Sequence, residues 1–514
     1  MKRLVTLVLA IAMLCLCIPS LAEATEETTP VTGGSITVNG LEFSTCFLPY
    51  SSTTSDRFNT APALEPLGRV NPETGMTEPW LAEEFITDPE ALTLTIKLRQ
   101  GIQFSDGTDF NAEAVIWNFD KMVEYGKQTE LGSCTSYEAT DDYTIVMHFD
   151  AWANNWVDTV GEVRIYSPDA FETNGADWAA INPVGTGAFV LSEFVQDSHM
   201  TYVKNENYWI EGQPYLDSIT ITFITDPTTQ LSAFMNGELD VLPGPSTAAI
   251  AQLNGQYPNV AQEDAPDLAG LEYMMFASGD EESPFYDLNV RLAVMHCIDW
   301  DGMAKAIYGE IIYGATPLFA VPGSWAYDET VEFYEYDLDL AKQLLADAGY
   351  PDGFDTTITV NETPNANTAA VVLQACLSQI GINAEIKVLT DADFNAQKAE
   401  GVYDHGIMIN GGASKKDFVN NYIRLYSSEG VNYLNMMAHP EDYEEALFGA
   451  RAATTQEEKE ELLKEAARLL SHDYALVVAL GYGKPVCYAQ EDVHDTGIYT
   501  TTSEAWTPEK AWRG

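Results

Sequence analysis

The sequence predicts an α/β protein with at least two lobes, and three observations predict it. Strand-like and helix-like segments alternate along the whole chain, and one stretch reads strand, helix, strand. The chain has 514 residues and is 46% apolar, enough for two or three packed domains. No short-period repeat appears, which sets a solenoid aside.

The elements follow in chain order. Residues 1–24 read as a secretory signal peptide: Lys2 and Arg3, an apolar run from Leu4 to Ile18, the break at Pro19 and the small-residue site Ala22-Glu23-Ala24. Leu14 and Leu16 stand where a lipoprotein signal has a small residue before Cys15 or Cys17, so cleavage without a lipid anchor is expected. "SITVNG" alternates like a strand, and a Ser/Thr-rich loop with Phe47, Tyr50 and Phe58 follows. "TLTIKLRQGIQFSDGTDFNAEAVIWNF" (93–119) reads as a half-buried strand, a turn at Ser105-Asp106-Gly107, and a helix capped by Asn111 with Glu113 in its first turn. "INPVGTGAFVLSEFVQD" and "HMTYVKNENYW" supply two strands. "YLDSITITFITDPTTQLSAFMNGELDVL" is the βαβ-like stretch, with a turn at Asp226-Pro227. "LEYMMFAS" is an apolar strand and "NVRLAVMHCIDWDGMAKAIYG" a long helical pattern. "DLDLAKQLLADAGYPDGF" is a short helix with Asp337 as N-cap, Gly349 just past its end and Pro351 beyond. In the last third, "AAVVLQACLSQIG" is a helix. "INAEIKVL", "YDHGIMINGG" and "YALVVALG" are strands, and "TTQEEKEELLKEAARLL" is a helix with a capping box.

The formal net charge is -53. Such a surface repels phosphate backbones and anionic lipid, so nucleic acid is not an expected partner. No HExxH, GxSxG, P-loop or GxGxxG motif is present. The seven histidines lie far apart in the sequence. His296 adjoins Cys297, but helix neighbours point apart, so the pair reads as packing. Neither a metal nor a cofactor is expected, and no catalytic residue is assigned. A carboxylate pair of the glycosidase kind stays open among so many acids. After signal cleavage Cys46, Cys134, Cys297, Cys376 and Cys487 remain, at wide spacings. At most two disulfides could form among them, and buried free thiols are the equal alternative.

The order of segments resembles the extracytoplasmic solute-binding proteins of ABC importers, the peptide/nickel-type (family 5) group. The resemblance lies in "EPWLAEEFITDPEALTLTIKLRQGIQFSDGTDFNAEAVIWNFDKM", "NPVGTGAFVLSEF", "NYW…PYLDSITITFITDPTTQLSAFMNGELDV", "NVRLAVMHCIDWDGMAKAIYG" and "DLAKQLLADAGYPDGF", and it covers nearly the whole mature chain. It implies a two-lobed periplasmic-binding-protein-like fold of the class II type, with an extra subdomain inserted in the first lobe. The expected division is 25–70 plus 181–275 plus 481–514 for the first-lobe core, 71–180 for the insert and 276–480 for the second lobe. It further implies an extracytoplasmic monomer, in a periplasm or at the outer face of the membrane. Such a protein closes on its ligand by a hinge and docks on an ABC permease and ATPase complex. On this reading the 93–119 stretch is scaffold.

One departure bears on the ligand. Peptide-binding members of the family carry a Trp-x-Ala-Asp type segment whose Asp pairs with the peptide α-amino group. The comparable segment here is Asn410-Gly411-Gly412-Ala413-Ser414, with Gly411 in the Trp place, Ser414 in the Asp place and Asp417 three residues on. An oligopeptide remains the leading ligand. The alternatives are a glycan-derived ligand, a metal chelate or a modified peptide, and beyond those a secreted hydrolase or a peptide-sensing module. By the family layout the ligand-binding residues expected are Tyr50, Ser51, Phe276, Ser278, Trp325, Asn410, Ser414 and Asp417.

Overall fold

The computed structural model describes residues 29–40, 46–51, 54–71, 76–261, 269–314, 316–332, 334–400, 404–413, 418–430, 436–499 and 506–514. The signal segment 1–24 and the candidates Ser414 and Asp417 lie outside the described residues. Two six-stranded mixed sheets organise the chain. In the first, the order is Cys487–Ala489, Val241–Pro243, Ser35–Asn39, Ser218–Thr222, His199–Lys204 and Phe189–Val195. The βαβ-like stretch builds its centre: Ser218–Thr222 and Val241–Pro243 both lie parallel to Ser35–Asn39, one on each side. In the second, the order is Ile312–Gly314, Val477–Gly483, Gly270–Phe276, Ile407–Ala413, Asp355–Asn361 and Asn383–Leu389. Val477–Gly483 is buried at every position, as its unbroken apolar run requires.

The chain passes between the sheets twice, after Pro243 and after Gly483. The two passages lie side by side: the Gly244 amide donates to the Val486 carbonyl at 3.0 Å, and the Val260 amide to the Cys487 carbonyl at 2.8 Å. The expected boundaries at 276 and 480 each fall inside a strand of the second sheet. Gly270–Phe276 pairs along its whole length with Ile407–Ala413, so the passage is complete by Gly270.

A four-stranded antiparallel sheet, Ala82–Asp88, Thr93–Leu98, Thr144–His148 and Ser136–Asp141, carries the insert. The helix Ala112–Glu124 packs on it through Val115, Phe119 and Met122, and the Asn111 side chain accepts from the Ala114 amide at 2.9 Å. Three of the segments that carry the family resemblance meet at one buried carboxylate. Glu65 accepts from Trp80 Nε1 (2.9 Å), Thr186 Oγ1 (2.8 Å), Tyr208 OH (2.8 Å) and Trp209 Nε1 (3.0 Å). Arg69 lies 3.5 Å away and also pairs with Glu509 at 2.8 Å. Burying a charge is costly unless its lone pairs are filled, and Glu65 has them filled. "EPW", "GTG" and "NYW" are thus scaffold that joins the insert to the first lobe.

Cys46, Cys134, Cys297, Cys376 and Cys487 are free thiols, so neither of the two possible disulfides forms. Among the described residues, no helix is long and apolar enough to cross a membrane, and no three His, Cys, Asp or Glu side chains gather as a metal would need.

Candidate functional site

The residues expected at the ligand site divide into three groups. Tyr50 is 1% exposed in the insert's core, where its ring packs 4.8 Å from Tyr125; its hydroxyl has no hydrogen-bond partner. Burial pushes the phenol pKa far up. Ser51 is exposed beside it, its amide donating to the Leu48 carbonyl at 3.0 Å. Phe276 and Ser278 are corrected: both belong to the second lobe's interior. Phe276 is fully buried with its ring 5.2 Å from Phe285, and Ser278 Oγ accepts from the Ala438 amide at 3.1 Å. Both were placed at the passage between lobes, and that passage ends earlier, by Gly270.

Of the third group, Asn410 and Trp325 are described, and both border one aromatic cluster of the second lobe. Asn410 Nδ2 donates to Tyr273 OH at 2.9 Å across neighbouring strands. Trp325 meets Phe418 edge-on at 5.7 Å, and the Lys459 ammonium lies 5.6 Å from the Trp325 ring. Phe418 opens the helix Phe418–Tyr426, which follows the altered segment directly. Tyr273 continues this surface inward, edge-on to Phe319 at 5.3 Å and to Tyr426 at 6.0 Å. Trp325 and Asn410 therefore sit on one aromatic face.

A residue the sequence reading missed lies one position from Tyr273. Glu272 points to the opposite face of its strand and is 5% exposed. Its register partners are Gly411 on one neighbouring strand and Gly481 on the other. Its Oε2 has no hydrogen-bond partner, and burial alone pushes its pKa up to about 8. A Cβ at Gly411 would stand 2.7 Å from Glu272 Oε1, so the carboxylate occupies the space where a side chain at 411 would begin. The signal that could have found it is an acid inside the otherwise apolar run "LEYMMFAS".

A second missed feature ties the insert to the second lobe. The helix Glu441–Ala452 ends with carbonyls that need donors. Asn154 Nδ2 donates to the Ala450 and Ala453 carbonyls at 2.9 and 3.1 Å. The Asn154 amide reaches the Arg451 carbonyl at 3.2 Å, and Trp152 Nε1 the Ala453 carbonyl at 3.4 Å. His296 and Cys297 diverge: His296 Nδ1 lies 2.8 Å from the Glu335 carbonyl, while Cys297 is fully buried. A cavity of 530 Å³ beside His296, Tyr334, Arg468 and His472 is lined by none of the expected ligand residues.

Comparison with known proteins supplies the frame for this geometry. Residues 77–433 match the family described as bacterial extracellular solute-binding proteins, family 5. The chain is 27% identical to heme-binding protein A of Haemophilus influenzae over 432 residues, 77% of each chain. It is 34% identical to the glutathione-binding protein GsiB of Salmonella typhi over 334 residues, 62% of each. Its structure superposes on the periplasmic binding protein DppA of Helicobacter pylori, solved in complex with the peptide STSA. That match has a TM-score of 0.78 and 25% identity, and it covers 94% of this chain and 98% of that one.

Proposed function

The chain belongs to the bacterial extracellular solute-binding proteins of family 5, and from that premise we propose that it captures an oligopeptide between its two sheets for an ABC importer. The observation that carries the reading is the pairing of two sheets through two adjacent chain passages, with a polar contact between the insert and the second lobe. A ligand that touches both lobes adds contacts only in the closed arrangement, so binding and closure are one equilibrium. The aromatic face of Tyr273, Trp325 and Phe418, with Asn410 at its edge, is the second-lobe wall of this site. Ser51, together with Ser414 and Asp417 outside the described residues, completes the ligand-binding residues of this proposal. The relative that holds the peptide STSA supports a peptide ligand. The reading includes no catalytic step. It includes delivery by the closed form to a permease, from an extracytoplasmic location reached by cleavage of residues 1–24.

Gly412 favours one second reading, a bulkier non-peptide ligand. A Cβ at Gly412 would meet open space. Thermal melting and small-angle scattering with trialanine, glutathione and heme separate the two. A rise in melting temperature and a fall in radius of gyration with trialanine or glutathione are expected. A response to heme alone transfers the site to the second reading. Hydrolysed peptide in the mixture, or no response to any of the three, overturns the proposal.

A further inference from the structure

We propose that Lys459 is the anion-recognising residue of this site: its ammonium, held against Trp325 at the edge of the aromatic face, takes up a carboxylate of the ligand. That the carboxylate belongs to a peptide rests on the function proposed above; that the ligand is anionic at this point rests on Lys459 itself.

The contrast with the other cations carries the inference. In a chain with 78 acidic residues and 25 Lys and Arg, a cation finds a carboxylate easily. Lys97, Lys305, Lys387 and Arg451 each hold one at 2.6 to 2.9 Å, although water could have served them instead. Lys459 is 8% exposed, and among the described residues no hydrogen bond or ion pair reaches its ammonium. Its neighbour is the Trp325 ring, at 5.6 Å. The helix Gln456–Arg468 explains the isolation. Side chains three and four positions away share a helix face. Around Lys459 these are Thr455, Gln456, Leu462 and Leu463, none of them acidic. Two of the adjacent carboxylates serve other donors: Glu458 accepts from the Thr454 amide at 3.4 Å, and Glu460 from Gln456 Nε2 at 2.9 Å.

The same helix face aims Lys459 at the site. Lys459, Leu463, Ala466 and Ala467 are its buried residues, and the last three belong to the cluster that contains Tyr273 and Phe418. Trp325 packs on that cluster and is only partly buried, so the ammonium lies at the cluster's border and not in its interior. A ring face attracts a cation, but less than burial costs it. A buried cation left without a counter-charge lowers stability and is retained where an anion arrives from outside. A carboxylate there would make a charge-assisted bond beside an apolar ring. The acidic surface around it repels anions at large, so a ligand that presents one carboxylate to Lys459 and carries positive charge elsewhere suits both fields.

Calorimetry with trialanine and trialanine amide, which differ in the charge of the C-terminus, tests this. The wild-type chain should bind trialanine about tenfold or more tightly than the amide. Lys459→Met keeps an apolar stem and removes the charge. It should bind trialanine about tenfold or more weakly, bind the amide as the wild type does, and melt at the same temperature or higher, because an unpaired buried cation is gone. Lys459→Arg should keep the preference for trialanine. Equal binding of the two ligands by the wild type overturns the inference. So does a Lys459→Met chain that melts lower and loses both ligands equally, since that marks a packing residue. If neither ligand binds the wild type, the peptide reading fails and the anion alone decides. Sodium acetate, compared with sodium chloride of the same ionic strength, should then raise the melting temperature of the wild type and not of Lys459→Met. No difference between the two chains overturns the inference.

Discussion

Glu65 and Glu272 show how little a residue's type says about its role without its neighbours. The first is saturated by tryptophan, tyrosine and threonine donors, the second by none. That difference predicts how stability depends on pH. Burial raises the Glu272 pKa from 4.5 to about 8 in the folded chain. Between those values the folded state holds a proton that the unfolded state has lost. Stability is therefore highest below the unfolded value and falls as pH rises towards the folded one, by up to roughly 1.4 kcal/mol per unit. Melting curves at several pH values from 5 to 8 should show Glu272→Gln gaining on the wild type as pH rises; parallel curves would show that the site is solvated. Little of this was legible in the sequence. Glu272 sat inside a run read as an apolar strand, and its isolation depends on glycines about 140 and 210 positions away. Trp325 and Asn410 were expected because the family layout places their loops, and both border the aromatic cluster, whereas Phe276 and Ser278 were expected at a passage that local pattern does not mark and are buried in the second lobe.

Elements were legible where their ends are closed locally. Asn111, Asp226, Asp337 and Thr455 each cap the helix that follows, with side-chain oxygens accepting amides two or three residues on. Such caps are written within four residues of sequence. The helix Glu441–Ala452 shows the limit. Its N-cap position is Pro440, which offers no side-chain bond, and its last carbonyls are met by Trp152 and Asn154, about 300 residues earlier. No local pattern could announce that contact. It joins the insert to the second lobe, and on the function proposed above it favours the closed arrangement. A neutral hydrogen bond of this kind contributes about 0.5–1.5 kcal/mol net. Asn154→Ala removes two of them, about 1–3 kcal/mol, and should weaken ligand binding by about fivefold to 150-fold, measured by calorimetry. Scattering should show a larger radius of gyration for the variant with ligand present. Unchanged affinity and radius would mean that the contact follows closure without contributing to it.

At the scale of the whole molecule, the two-lobed plan followed from the alternation of elements and the resemblance, whereas the assignment of strands to sheets did not. Gly270–Phe276 joins the second sheet by pairing with strands that begin 137 and 207 residues after it, a choice made by long-range packing. Charge is the other property of this scale. The chain has 78 acidic residues and 25 Lys and Arg, so even complete one-to-one pairing would leave two thirds of the acids without a basic partner. The cations that form ion pairs are mostly local and exposed, as in Lys97–Glu84 at 2.6 Å and Arg468–Glu465 at 2.6 Å. Exposed pairs of this kind contribute about 0–1 kcal/mol each. The net electrostatic effect on the compact state is therefore self-repulsion, which counterions screen over a Debye length of about 10 Å at 0.1 M salt. Raising sodium chloride from millimolar levels to about 0.2 M should raise the melting temperature by a few degrees, as screening relieves the repulsion more than it weakens the pairs. A fall instead would mean that the ion pairs outweigh the excess carboxylates. Glu272 provides an internal control, because a buried carboxyl that titrates near 8 is mostly uncharged at pH 6 and lies beyond the reach of mobile ions. The wild type and Glu272→Gln should therefore gain equally from salt at that pH, while differing from each other as pH rises.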